Sequence, residues 1–308
     1  MAVSSNMWVV ALGLVIGCGE PRWERVAAMQ HPRAAHAVVA TADTIVALAG
    51  IDGAGAPVLA VERFDGAAWV EETVLPGRGR NAPAAVALDG DIYVLGGFDT
   101  TSNVPVDIVD VYAMGTRRWS VGAPLPTARG GHAAVVLAGR IHVLGGGNSR
   151  STIADHDVFD PSTGGWSARA GLPRAAGSVA AVVHAGELFA IGGRSGGEDF
   201  GAVDVYDPGT DTWAPGPAIA ARGTAGAVEH CGAVIVVGGE SQARQAVLAE
   251  VLRLDGATWL PMAPLPTARS FARAVAFRGA TYVVGGGVAP QTSHAPEGSA
   301  VVERLGCR

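Results

Sequence analysis

Six arginines recur at a shared position in this 308-residue chain: Arg33, Arg80, Arg129, Arg174, Arg222 and Arg269. Each precedes a pair of small residues, Ala49-Gly50, Gly96-Gly97, Gly145-Gly146, Gly192-Gly193, Gly238-Gly239 or Gly285-Gly286. Five of them stand 17 residues before the second glycine of the pair, and Arg174 stands 19 before it. A guanidinium is permanently charged, planar and able to grip a carboxylate through two parallel hydrogen bonds. A circle of six would bind an acidic ligand or an acidic protein segment. The same spacing also suits a structural role, in which each arginine bonds loop carbonyls and holds neighbouring repeats together. Both readings stand at this level, and the six are carried forward as candidate ligand-binding residues.

Catalytic groupings are thin. Gly193-Arg194-Ser195-Gly196-Gly197 matches Gly-x-Ser-x-Gly by letter. A nucleophile elbow needs a strand-to-helix turn, whereas this segment reads as the small pair followed by a flexible loop. Asp155-His156-Asp157 could touch a metal, but without a second ligand set it reads as a solvated loop. His36 and His132 each stand three residues after their arginine, and the repetition points to packing or a local hydrogen bond. No catalytic residue, metal ligand or cofactor is expected. Three cysteines, Cys18, Cys231 and Cys307, are too few for a disulfide scaffold and match no zinc spacing. Cys231 falls in a hairpin turn and reads most simply as a free thiol, with a bond to Cys307 conceivable. A Cys18–Cys307 bond competes with lipidation of Cys18.

The elements that position these residues follow from a second recurrence. Trp23, Trp69, Trp119, Trp166, Trp213 and Trp259 fall 46 to 50 residues apart. Within one period the chain alternates apolar and polar residues in short runs divided by turn residues, which is the signature of strands and hairpins. In residues 129–166 an inner run turns at Ala138-Gly139, a second run ends at Gly145-Gly146, a third carries Val158-Phe159, and Trp166 lies in a fourth. The third run recurs as Val61-Glu62-Arg63-Phe64, Val109-Asp110-Val111-Tyr112 and Val203-Asp204-Val205-Tyr206. A period near 50 residues built of four short strands indicates a radial array of blades. Helix-forming Glu/Lys/Leu/Gln runs are missing and the positive charge is all Arg, which supports an all-β chain.

The small pair after an apolar strand, the aromatic of the third strand and the Trp of the fourth resemble the kelch repeat, over residues 22–306. The first unit has Ala49 where the first Gly belongs, and the fifth lacks an aromatic before Trp259. The resemblance implies a six-bladed β-propeller of four-stranded antiparallel blades, with partners commonly bound on the face near the start of the inner strands. The expected blades are 33–76, 77–126, 127–172, 173–219, 220–266 and 267–306. The last lacks a Trp, so the stretch 21–27 with Trp23 is expected to supply its outer strand; otherwise a sheet edge would stay unpaired. Some kelch-like proteins are copper oxidases or sialic acid epimerases, but no Cys–Tyr pair with two His stands at a supporting spacing.

Residues 1–17 carry no charged side chain, and 7–16 form an apolar stretch of ten residues, too short to span a bilayer. This reads as a secretory signal peptide, although 1–6 lack the usual Lys or Arg. Val15-Ile16-Gly17-Cys18 resembles a bacterial lipobox, making Cys18 the expected lipidation site and 18–308 the mature propeller. The formal net charge of −6 with no long basic run excludes a generic nucleic-acid binder. The expectation is a monomeric, non-enzymatic propeller in the bacterial cell envelope, lipid-anchored in the outer membrane or periplasm, binding an unidentified protein or acidic ligand. The alternatives are an envelope enzyme acting on a carbohydrate at the channel mouth and a purely structural assembly module.

Overall fold

A computed structural model describes residues 22–289 and 298–307 of the chain. Every regular element in it is a β-strand. Cys18 and the expected signal peptide at 1–17 lie outside the described residues.

Six four-stranded antiparallel sheets form, five of them in the sequence order inner to outer. Blade 3 is representative: Ala133–Leu137, Arg140–Leu144, His156–Asp160 and Gly165–Ala168 pair consecutively. The inner hairpins are tight. In five blades the two turn residues, Asp89-Gly90, Ala138-Gly139, Ala185-Gly186, Cys231-Gly232 and Arg278-Gly279, all have positive φ. That is the turn whose twist matches the flanking strands.

Blade 6 joins the two ends of the sequence. Arg273–Phe277, Ala280–Val284 and Val302–Gly306 supply three strands, and Trp23–Arg25 adds the fourth. Trp23 lies opposite Leu305 and Arg25 opposite Glu303. The inner strands touch their neighbours all the way round, the sixth against the first, so the ring is closed.

The core is six apolar clusters, each in the seam between two blades. Third-strand aromatics pack on fourth-strand tryptophans: Phe64 on Trp69, Tyr112 on Trp119, Phe159 on Trp166 and Tyr206 on Trp213. Each tryptophan also reaches back one blade. Its indole N–H donates to Ala263 (from Trp23), Ala27 (Trp69), the Thr73 hydroxyl (Trp119), Ala123 (Trp166), Ala170 (Trp213) or Pro217 (Trp259). A buried indole seeks an acceptor for its single donor, and here it finds one on the preceding blade. The Trp period of the sequence is therefore a period of inter-blade staples.

Candidate functional site

The recurrent arginines lie on the loop face, where each outer strand leads into the next inner strand. Their side chains point into their own blades. Arg33, Arg129, Arg222 and Arg269 donate to Glu62, Asp157, Glu250 and Glu303 at 2.5 Å. Arg80 pairs with Asp110 and Arg174 with Asp204. In five blades Nη1 also donates to the carbonyl of the first residue of the small pair, Ala49, Gly96, Gly145, Gly238 or Gly285, at 2.9–3.4 Å. Five of the guanidinium groups are buried; that of Arg174 is 36% exposed. Burial pulls Arg33, Arg80 and Arg269 below the ordinary arginine value, opposed by Glu62, Asp110 and Glu303. Burial likewise pushes Asp110 and Asp157 up against the pull of Arg80 and Arg129.

The backbone of the same arginines faces the other way. The second glycine of the preceding blade donates its N–H to the arginine carbonyl: Gly50 to Arg80, Gly97 to Arg129, Gly193 to Arg222, Gly239 to Arg269 and Gly286 to Arg33, at 2.8–3.0 Å. In blade 4 the loop has the usual length but Ala176 holds the arginine's position, so Gly146 donates to Ala176, while Arg174 stands two residues earlier and is more exposed. The first glycine is held by crowding. A Cβ on Gly96 would lie 2.5 Å from the Arg129 oxygen, and one on Gly145 would lie 2.3 Å from the Ala176 oxygen. Arginine and glycine pair are thus two halves of one joint, with the side chain tied to its own blade and the carbonyl to the blade before.

The third-strand carboxylates were not recognised from the sequence as partners of the arginines. In five blades the acid stands two residues before the position opposite the Trp: Glu62, Asp110, Asp157, Asp204 and Glu303. That register was a readable signal. In blade 5 the acid moves to Glu250, which also binds Arg244 at 2.9 Å.

Isolated bridges and short ladders tie the two loop sets of this face together. Ala34 pairs with Ile51, Asn81 with Phe98, Gly130 with Gly147, Gly177 with Arg194, Gly223 with Glu240 and Ser270 with Gly287. The loops are therefore ordered by backbone hydrogen bonds. Two clefts flank the blade-2 loop. One, of about 300 Å³, is lined by Pro76, Arg78, Asp99, Val106 and Ile108. The other, of about 370 Å³, is lined by Val104, Pro105, Thr127, Asn148 and Arg150. Val104 and Ile108 are about half exposed, at 52% and 45%, and Arg78 is open to solvent.

The mouth of the axial channel carries a second ring. Ala35, Ala82, Gly131, Ser178, Thr224 and Phe271 occupy one position in the six blades, and all have φ between 47° and 63°. From blade to blade, Ala82 donates to Ala35, Gly131 to Ala82, Ser178 to Gly131 and Thr224 to Ser178. A left-handed backbone at non-glycine residues costs roughly 1 kcal/mol each and is held only by its surroundings. Two residues further in, the inner strands begin with Ala37, Ala84, Ala133, Ala180, Gly226 and Arg273.

The remaining sequence candidates have structural placements. Arg194–Ser195 forms a two-residue ladder with Glu198–Asp199, and Ser195 Oγ lies 2.5 Å from Thr152 Oγ1, so no strand-to-helix turn exists. Asp155-His156-Asp157 is not a solvated loop: His156 and Asp157 are buried in the third strand of blade 3. His156 bonds His142 at 2.9 Å and packs on Tyr206. His36 and His132 are buried beneath the glycine pairs of adjoining blades. Cys231 is not a free thiol. It forms a disulfide with Cys307, with Cα atoms 6.0 Å apart, which links the inner turn of blade 5 to the third strand of blade 6. That bond also removes Cys307 from the Cys18 pairing considered from sequence. His230 lies against both sulfurs, and among the described residues these three are the one group with metal-ligand geometry. With the disulfide formed they offer no thiolate. Among the described residues no helix is long and apolar enough to cross a membrane.

Comparison with known proteins agrees with this architecture. The family model described as "KLHDC2/KLHL20/DRC7 Kelch-repeats domain" matches residues 82–287. A solved structure titled "Structure of YjhT" superposes with a TM-score of 0.76, covering 91% of this chain and 95% of that one at 17% identity. That likeness concerns the fold alone. A search among curated proteins gave no match.

Proposed function

The chain belongs to the kelch-repeat propeller family, and on that premise we propose that it is a non-enzymatic protein-binding platform whose loop face receives an acidic, partly apolar segment of a partner. The observation that carries this reading is the pair of clefts around the blade-2 loop. Exposed Val104 and Ile108 stand there between Arg78 and Arg150, on loops held in place by ladders and by the buried arginines beneath. Apolar anchors beside exposed arginines, on an ordered backbone, are what a protein-binding hot spot needs. The six recurrent arginines serve this face as its foundation, with Arg174 the member that meets solvent. A carboxylate-rich segment suits the guanidinium forks at its rim.

The proposed setting is the bacterial cell envelope, reached through the leader at 1–17, with a lipid on Cys18 and the propeller acting as a monomer. The support is the apolar stretch and the Val15-Ile16-Gly17-Cys18 sequence.

Panning a random peptide library on the immobilised propeller tests the binding reading. Enrichment of peptides combining Asp or Glu with an apolar anchor is expected, and it should disappear with Val104→Asp and Arg150→Glu together. No enrichment, or enrichment that survives both changes, would overturn it. Mass spectrometry of the mature N-terminus tests the setting: a diacylglyceryl Cys18 is expected, and an intact Met1 would remove it.

A further inference from the structure

The layer that opens the six inner strands breaks its own symmetry once. At this register four blades place Ala (Ala37, Ala84, Ala133, Ala180), blade 5 places Gly226, and blade 6 places Arg273. Five small side chains leave room in the channel that one long side chain enters. A cavity of about 100 Å³ lies at this level, and Arg273 is the one charged residue on its wall.

The bonding of Arg273 differs from that of the six recurrent arginines. Each of those meets a carboxylate in its own blade. Arg273 donates Nε to the carbonyl of His36 across the seam to blade 1, at 2.7 Å. Among the described residues no carboxylate pairs with it, and its Nη1 and Nη2 groups have no protein acceptor. Burial alone pulls its pKa down, to about 10, and no acid opposes the shift. Its charge is felt by His36 in the adjoining blade 1 and by His132 in blade 3, across the ring from blade 6. Neither can neutralise it, since an imidazole carries no negative charge in either protonation state.

An uncompensated cation in a protein interior is costly and is normally matched by an anion. Arg273 is only partly exposed, so its attraction for an anion in the narrow channel is stronger than at an open surface. With Nε engaged, the two terminal amino groups remain without an acceptor among the described residues on a side chain that lines the void, and that planar fork matches the two oxygens of a carboxylate. The wall's other side chains are Ala, Val and Pro, so no acidic side chain repels the ligand. Size limits it: a water occupies about 30 Å³ of liquid, and drug-sized ligands need cavities of about 300 Å³ or more.

We infer that the axial channel holds a small planar oxyanion of the size of formate or acetate, bound end-on by the terminal amino groups of Arg273. The site is independent of any protein partner on the loop face. It also accounts for blade 6 departing from the small residues of the other five: a sixth small residue would leave the channel without a charge, whereas the arginine makes it selective for an anion.

Saturation-transfer NMR on the full chain tests this with formate and acetate as probes. Transfer to both at millimolar concentration is expected, displaced by nitrate and not by chloride at equal ionic strength. Arg273→Ala gives blade 6 the residue four other blades already carry, and transfer should fall at least tenfold. No transfer to the unaltered protein, or equal transfer to the variant, would overturn the inference. Should the variant fail to fold, the unaltered protein still decides the matter. Its melting temperature should rise saturably with formate at constant ionic strength, and a rise no larger than chloride gives would refute the site.

Discussion

The indole N–H of Trp23 donates to the carbonyl of Ala263 at 2.9 Å, although the two lie at opposite ends of the sequence. Trp23 thereby does for blade 6 what the other five tryptophans do for theirs. It also packs in the cluster between blades 5 and 6, with Val251, Leu265 and Val283.

Removal of residues 19–27 should therefore lower stability by about 4 kcal/mol, because a paired strand, its backbone bonds and an indole staple are lost together. Trp23→Ala alone should cost about 2 kcal/mol, since its ring is only partly buried. Urea titrations of the three proteins measure both. Equal midpoints would disprove closure by the N-terminal strand.

The joint between arginine and carboxylate predicts a ranking. Arg129→Ala leaves Asp157 buried without its cation and should cost about 3–5 kcal/mol. Arg174→Ala removes a partly exposed cation whose place beside Asp204 water can take, and should cost about 1 kcal/mol or less. Denaturant midpoints that reverse this order would mean that the buried arginines do not hold the ring together.

Acid should weaken the fold through its histidines. Burial lowers the pKa of His132 to about 3 and of His142 and His156 to about 4, and it holds His36 far below the ordinary value. In the unfolded chain these groups take up protons near pH 6.5. Between that pH and about 4 the unfolded state binds more protons, so stability falls as pH falls. Each buried ring contributes a slope of about 1.4 kcal/mol per pH unit across this window. Melting temperatures should be level above pH 7 and drop steeply from pH 6 to 5. His132→Gln should flatten the drop; an unchanged slope would remove His132 from the account.

The disulfide bridges two blades across a sequence separation of 76 residues. Breaking it should cost about 2–4 kcal/mol, largely through the freer unfolded chain. Cys231→Ala with Cys307→Ala should melt lower than the oxidised protein and no longer respond to dithiothreitol. A reductant-insensitive melting point for the unaltered protein would show that the bond does not contribute.

Architecture was readable in the sequence because it rests on residues with little freedom of substitution. An indole needs an acceptor on the preceding wedge, and a glycine pair needs left-handed backbone under a neighbouring carbonyl. Each leaves a mark at fixed spacing. Ala49 shows the tolerance: at φ 57° it keeps the conformation without the glycine. The arginines were visible for the same reason, but their direction was not, since spacing fixes where a side chain starts and not which carboxylate it meets. Glu62, Asp110 and their counterparts were hidden among ordinary strand residues. His156 was misread because two flanking acids resemble a loop, while the strand register buries the ring. Arg273 differs again: it matters through being unlike its five equivalents, and only the register of all six inner strands reveals that.

Every wedge leans on the one before it, through its indole on one side and its arginine carbonyl on the other. No wedge is complete until the last has met the first. Unfolding should then be a single event for the entire circle, and a protease will find either an intact disc or a wholly opened chain, with little in between.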